Sequence, residues 1–127
     1  MESEELKRLS ERVAAVRETL DRAAQGRPYT LLAASKTQSA ETINLLPACG
    51  IYDYGENRVQ EWVEKHEKIT ESLRFHHIGR LQSNKIKYII NHVVLIHSVD
   101  RLDLAQEISR LAVKNGRCVD EIGRAHV

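Results

Sequence analysis

The sequence predicts an α/β fold in which strands and helices alternate along a chain of 127 residues. Three observations predict it. Strand-like runs start at Thr30, Ile51, Arg74, Val93 and Cys118, at separations of 21, 23, 19 and 25 residues. Each separation is what one strand, one helix and two short loops consume. Between the runs, apolar residues recur at helical spacing, and strict alternation of the two element types implies a parallel sheet with right-handed crossovers.

The first element is a helix. Leu6, Leu9, Val13, Val16 and Leu20 form one stripe with charges on the other faces, and Gly26 and Pro28 end it. Residues 30–35 follow as a buried strand that stops on Lys36. A second helix opens at Ser39. Pro47 sits where a regular helix wants an amide donor, so this helix is expected to be short or kinked. Residues 51–54 make the second strand, with Gly55 at its end. Asn57 with Gln60 has the form of a capping box for a third helix that turns Val59, Trp62, Val63 and Ile69 inward. The third strand covers 74–78, and Ser83 or Asn84 then caps a helix carrying Ile86, Ile89 and Ile90. The fourth strand, 93–98, leads to Asp100. The helix after it carries Leu102, Ala105, Ile108, Leu111 and Ala112, and closes at Asn115-Gly116.

A hydrophobic content of 42% and a charged content of 29% describe one modest soluble domain with a real core. The net charge of +1 gives no overall field that argues for nucleic acid or for cationic partners. Cys49 and Cys118 lack metal-ligand spacing and read as reduced, buried thiols. With the acidic start Met1-Glu2-Ser3-Glu4-Glu5 and no apolar run of bilayer length, the expectation is a cytoplasmic protein without a membrane partner. His76 and His77 are consecutive on a strand and so point to opposite faces, which rules out a two-ligand metal site between them.

Two architectures compete, a doubly wound open sheet and a (β/α)8 barrel. No glycine-rich dinucleotide fingerprint follows the first strand, since Ser35-Lys36-Thr37-Gln38-Ser39 contains no glycine. The repeat count fits about half a barrel, because a full one needs roughly 250 residues. The last strand begins at Cys118-Val119 but turns polar where apolar residues should continue. The string Glu-Ile-Gly-Arg-Ala-His-Val is also the translation of GAG ATC GGA AGA GCA CAC GTC, which resembles a short-read sequencing adapter read in frame. Residues 1–120 are therefore expected to be the N-terminal half of a barrel, and 121–127 a non-native tail. Re-reading the source DNA downstream of codon 120 tests this.

Lys36 is the chief chemical candidate. Aliphatic walls disfavour the ammonium form, and a lysine that loses its proton condenses with aldehydes. In a parallel α/β fold, functional groups gather where strands end. Four such segments would share one rim: Ser35-Lys36-Thr37, residues 55–61, residues 77–85 and His97-Ser98-Val99-Asp100. Simpler readings exist for several members. Asn57 and Asp100 fit helix caps, Gly55 a strand terminus, and His97 a packed or rim histidine. Arg80, Lys85 and Lys87, without interleaved aromatics, fit a solvated helix face rather than a nucleic-acid surface.

Four segments carry a family resemblance. Leu32-Ala33-Ala34-Ser35-Lys36-Thr37, Tyr54-Gly55-Glu56-Asn57-Arg58-Val59-Gln60-Glu61, His76-His77-Ile78-Gly79-Arg80-Leu81-Gln82-Ser83-Asn84-Lys85 and Ile96-His97-Ser98-Val99-Asp100 occur in order with the expected gaps. Across residues 5–119 the chain resembles the N-terminal half of the pyridoxal phosphate homeostasis protein family. It departs from the pattern at Ala34 for valine, Tyr54 for phenylalanine, His77 for an aromatic and Pro47 within the second helix.

The resemblance implies a (β/α)8 barrel similar to the N-terminal domain of alanine racemase. This chain would supply the first four to five βα units and an extra N-terminal helix. It implies pyridoxal 5'-phosphate held as an internal aldimine on Lys36, with Asn57 near the cofactor and the loops 79–84 and 98–100 lining the same mouth. It implies a role in vitamin B6 homeostasis without an established catalytic reaction, so no catalytic residue and no metal ligand is assigned. The alternative, a racemase-like enzyme, needs an acid/base group opposite Lys36, and none can be assigned. In such barrels the phosphate commonly sits in loops after strands 7 and 8. This stretch alone is therefore expected to bind the cofactor weakly or not at all. The parent is expected to be monomeric, with the small-molecule cofactor as its partner and neither nucleic acid nor membrane. Exposed sheet edges and an apolar inner face should make the half barrel self-associate.

Overall fold

The computed structural model describes residues 3–35, 37–99 and 101–123. Lys36, Asp100 and residues 124–127 of the expected tail lie outside the described residues.

Helix α1 (Glu4–Ala24) begins at Ser3, whose hydroxyl accepts the Leu6 amide at 3.1 Å, with Glu4 and Glu5 complementing the first turn. It ends on two left-handed residues, Gln25 (φ 51°) and Gly26 (φ 84°), so Gln25 takes the position expected for glycine. Only Val13 of the predicted stripe is buried, and Val16 remains 46% exposed. Strand β1 (Leu32–Ala34) follows. Helix α2 (Ala40–Ile43) is capped by Ser39 and gives way to a 3-10 turn, Leu46–Cys49, that has Pro47 at its start. The predicted break is there, because Pro47 has no amide to continue the helix.

The chain continues through β2 (Asp53–Glu56), α3 (Val59–Lys65) with a 3-10 extension at His66–Lys68, and β3 (Arg74–His77). A 3-10 turn at Ser83–Lys85 leads into α4 (Ile86–Ile89), then β4 (Val93–Val99), α5 (Leu102–Lys114) and β5 (Asp120–Gly123). The five strands are all parallel and lie in the order β1-β2-β3-β4-β5. A doubly wound sheet reverses its order at a switch point, whereas a barrel adds each strand beside the last. The sequential order therefore decides for an arc of a (β/α)8 barrel, preceded by α1.

The core lies between this sheet and its helices. Tyr54, Phe75, Val93 and Ile96 are buried with Trp62, Ile86, Ile89, Leu104 and Ile108. Trp62 stacks on Phe75 with ring centroids 4.5 Å apart and planes 7° apart, and its Nε1 donates to the Tyr54 hydroxyl at 3.0 Å.

Several predicted details differ. The second strand lies two residues later than 51–54, because the backbone ladder to both neighbours recruits Gly55 and Glu56 despite their poor strand propensity. Asn57 does not cap α3. The cap position is Arg58, with no side-chain bond. Ser83 and Asn84 lie inside the 3-10 turn and cap nothing, since α4 starts from Lys85 without a side-chain bond. In α5 the inward residues are Leu104, Ile108 and Ala112, while Leu102 is 74% exposed. Pairing with β4 runs through Asp120–Gly123, into the segment read as a tail. A ladder is made by backbone groups, which polar side chains do not exclude.

The sheet face away from the helices is polar at its centre, contrary to the apolar face expected. Arg74 grips Asp53 with two bonds of 2.7 and 2.6 Å. His76 Nε2 lies 2.8 Å from Asp53 Oδ1, and His76 Nδ1 lies 3.0 Å from His97 Nε2. A carboxylate only accepts, so His76 donates from Nε2 to Asp53. His77 is fully buried on the helix side, so the two histidines do point to opposite faces. Among the described residues, no helix is long and apolar enough to cross a membrane, and no three His, Cys, Asp or Glu side chains are grouped to hold a metal.

Candidate functional site

The C-terminal strand ends form one rim, built at β1 around the turn from Ser35 to Gln38. Buried Ser35 donates both its amide (2.9 Å) and its hydroxyl (3.1 Å) to the carbonyl of Gly55. The chain is thus still tied to β2 one residue before Lys36. Gln38 donates its amide to the Ser35 carbonyl at 3.0 Å, closing the turn. Thr37 has φ 63°, uncommon for a β-branched residue, and its amide donates to the Glu61 carboxylate at 2.5 Å. That bond chiefly holds the Glu61 carboxyl below its ordinary range.

Lys65 at the end of α3 reaches the same turn. Its Nζ donates to the carbonyls of Ser35 (3.1 Å) and Gln38 (2.8 Å), and pairs with Glu56 at 2.5 Å and Glu61 at 3.3 Å. Glu56 is wholly buried, and burial pushes its carboxyl above the ordinary range while the Lys65 ammonium pulls the other way.

Asn57 and Gly79 join the next two strand ends. A β-carbon on Gly79 would lie 2.3 Å from the Asn57 carbonyl oxygen and 2.8 Å from its Cα, so only glycine permits this approach. A β-carbon on Gly55 would meet Ile78 at 2.8 Å and Leu32 at 2.9 Å. Gly55 therefore serves close packing inside the strand rather than ending it. Farther along, the Lys85 and Lys87 ammonium groups lie 5.8 and 5.3 Å from the Tyr88 ring centroid, an aromatic the sequence pattern overlooked. A cavity of about 580 Å³ lies between α1 and β1, lined by Arg8, Arg12, Ala34, Ser35 and Thr42 among others.

The structure joins Ser35, Glu56 and Glu61 through Lys65 and, separately, Asn57 with Gly79, while Lys36 and Asp100 lie outside the described residues. Lys65 was missed by sequence reasoning. The available signal was its position three residues after Trp62, which puts a charge on the inward stripe of α3.

Parallel βα units in sequential order define the leading part of a (β/α)8 barrel. The pyridoxal phosphate homeostasis protein of Aquifex aeolicus is 44% identical over 122 residues, covering 94% of this chain and 54% of that protein. The chain belongs to the pyridoxal phosphate homeostasis protein family, and it spans about half the length of the curated relatives it matches.

Two solved structures agree. PipY of Synechococcus elongatus, determined with PLP bound, is 36% identical with a TM-score of 0.75, over 88% of this chain and 51% of its own. A protein of unknown function from Bifidobacterium adolescentis is 33% identical with a TM-score of 0.84, over 95% and 56%. No family model matches the chain.

Proposed function

We propose that this chain is the cofactor-carrying part of a pyridoxal 5'-phosphate-binding protein of vitamin B6 homeostasis, with Lys36 as the attachment residue and Asn57 beside the cofactor. The supporting observation is the turn at the end of β1, where hydrogen bonds fix the backbone at Ser35 and Thr37, immediately before and after Lys36. The name of the Aquifex relative and the PLP bound to PipY favour the same reading.

The residues present fit the aldehyde end of this cofactor. An amine is the group that captures an aldehyde, and the neighbouring strand end offers a carboxamide for a polar ring substituent. The backbone contact of Gly79 with Asn57 holds that carboxamide's loop in place without a β-carbon intruding. When bound, pyridoxal phosphate supplies an electrophilic carbonyl and an electron-withdrawing ring. Ser35 and Thr37 fix where the amine starts, and Asn57 orients. The phosphate seat is expected beyond the residues of this chain, in later loops of the parent barrel.

This reading makes the parent a cofactor-binding protein rather than a dedicated enzyme. It works as a monomer in the cytoplasm, where Cys49 and Cys118 stay reduced. The test uses the full-length parent. After incubation with pyridoxal phosphate, borohydride reduction and digestion, the label is expected on the peptide carrying Lys36 and is lost in Lys36→Ala. Label on another side chain, or none, overturns the assignment, and amino-acid racemisation by the parent overturns the non-enzymatic role.

A further inference from the structure

We infer that Lys65 and Glu61 are a positioning pair that sets the turn bearing Lys36, and so places the cofactor amine on the rim. This rests on the reading that Lys36 holds the cofactor. An ammonium carries three donors, and among the described residues the oxygens paired with Lys65 Nζ belong to the turn or to carboxylates beside it. Two are the carbonyls of Ser35 and Gln38, at 3.1 and 2.8 Å, which are the two ends of the turn. The other two belong to Glu56 and Glu61, at 2.5 and 3.3 Å.

The anchoring is stiff for a physical reason. Glu56 has no exposed side-chain surface, so Lys65 cannot swing to solvent without stranding a buried carboxylate. Glu61 completes the clamp from one helical turn earlier. It pairs with Lys65 and also accepts the amide of Thr37, the residue held at positive φ. A non-glycine residue in the left-handed region persists only where its surroundings over-determine it. Here Glu61 and Lys65 supply that restraint from one face of α3, across 24 to 30 residues of sequence. An isolated buried ion pair would need neither the two carbonyls nor the Thr37 amide.

The inference is tested first without cofactor, by amide hydrogen exchange on the 127-residue chain. In Glu61→Gln and Lys65→Met, exchange at Thr37 and Gln38 should accelerate at least about tenfold, with Phe75 and Ile96 in the core unchanged. Glu61 sits near the surface, so its variant remains folded and carries the decision if Lys65→Met does not. In the parent, both variants should weaken pyridoxal phosphate affinity about tenfold or more, while any trapped label stays on Lys36. Unchanged protection, or faster exchange with wild-type affinity, overturns the positioning role. Absence of label in the wild-type parent instead overturns the cofactor reading, and it is seen before either variant is made.

Discussion

Asp53 meets a guanidinium and an imidazole at once, and together with buried and half-buried histidines nearby it makes stability depend on pH in two windows. The Arg74 guanidinium, with help from His76 and against the effect of burial, holds the Asp53 carboxyl below its ordinary range. A depressed folded pKa contributes stability that is complete above the unfolded value of about 4 and is lost as pH falls through the folded one. His97 and His77 are shifted below 6.5, chiefly by burial, so they too favour the deprotonated form. Their contribution is complete above about pH 6.5 and declines as pH drops through their folded values. The melting temperature should therefore fall in a shallow step as pH drops below about 6.5, and more steeply below about pH 4. Thermal melts across that range check this, and His97→Gln should shrink the first step, to which His77 still contributes, and leave the second in place. At this scale the sequence showed that His76 and His77 face opposite ways. It did not show that Asp53, Arg74, His76 and His97 meet, because they come from three strands brought together by register.

Elements were legible to different degrees, and the differences have causes. Ser39 was read as a helix opener, and its hydroxyl does accept the Thr42 amide at 3.2 Å. Ser39→Ala should cost about 1 kcal/mol, measurable by urea unfolding. A loss below a few tenths would show that α2 is held by packing alone. Pro47 likewise announced its break, because the missing amide is a local property. Capping of α3 by Asn57 failed as a prediction because the helix starts later, at Val59, with Arg58 in the cap position. The boundaries of β2 were hidden for a similar reason. Asp53, Gly55 and Glu56 are poor strand formers that two flanking ladders force into extended form. The rim motifs were legible as a set, since four strand ends carry them in order. The clamp of Lys65 on Ser35 and Gln38 was not, because it depends on where α3 lies relative to the first turn.

For the molecule as a whole, the two terminal strands of the sheet matter most. Within the described residues, β1 pairs only with β2, and β5 only with β4. An open strand edge offers a row of unpaired amides and carbonyls to another chain. The 127-residue chain is expected to self-associate, giving a weight-average mass by light scattering that rises with concentration. A constant monomer mass across a hundredfold dilution series would refute this. The order of the strands has one more consequence. Each strand lies beside the one made just before it, as in Leu32 with Asp53 and Tyr54 with Phe75. No pairing in this sheet has to wait for a distant segment, so assembly can keep pace with synthesis. A ribosome would deliver the pieces in the sequence in which they dock, and the nascent protein could begin to fold from its leading end before translation is complete.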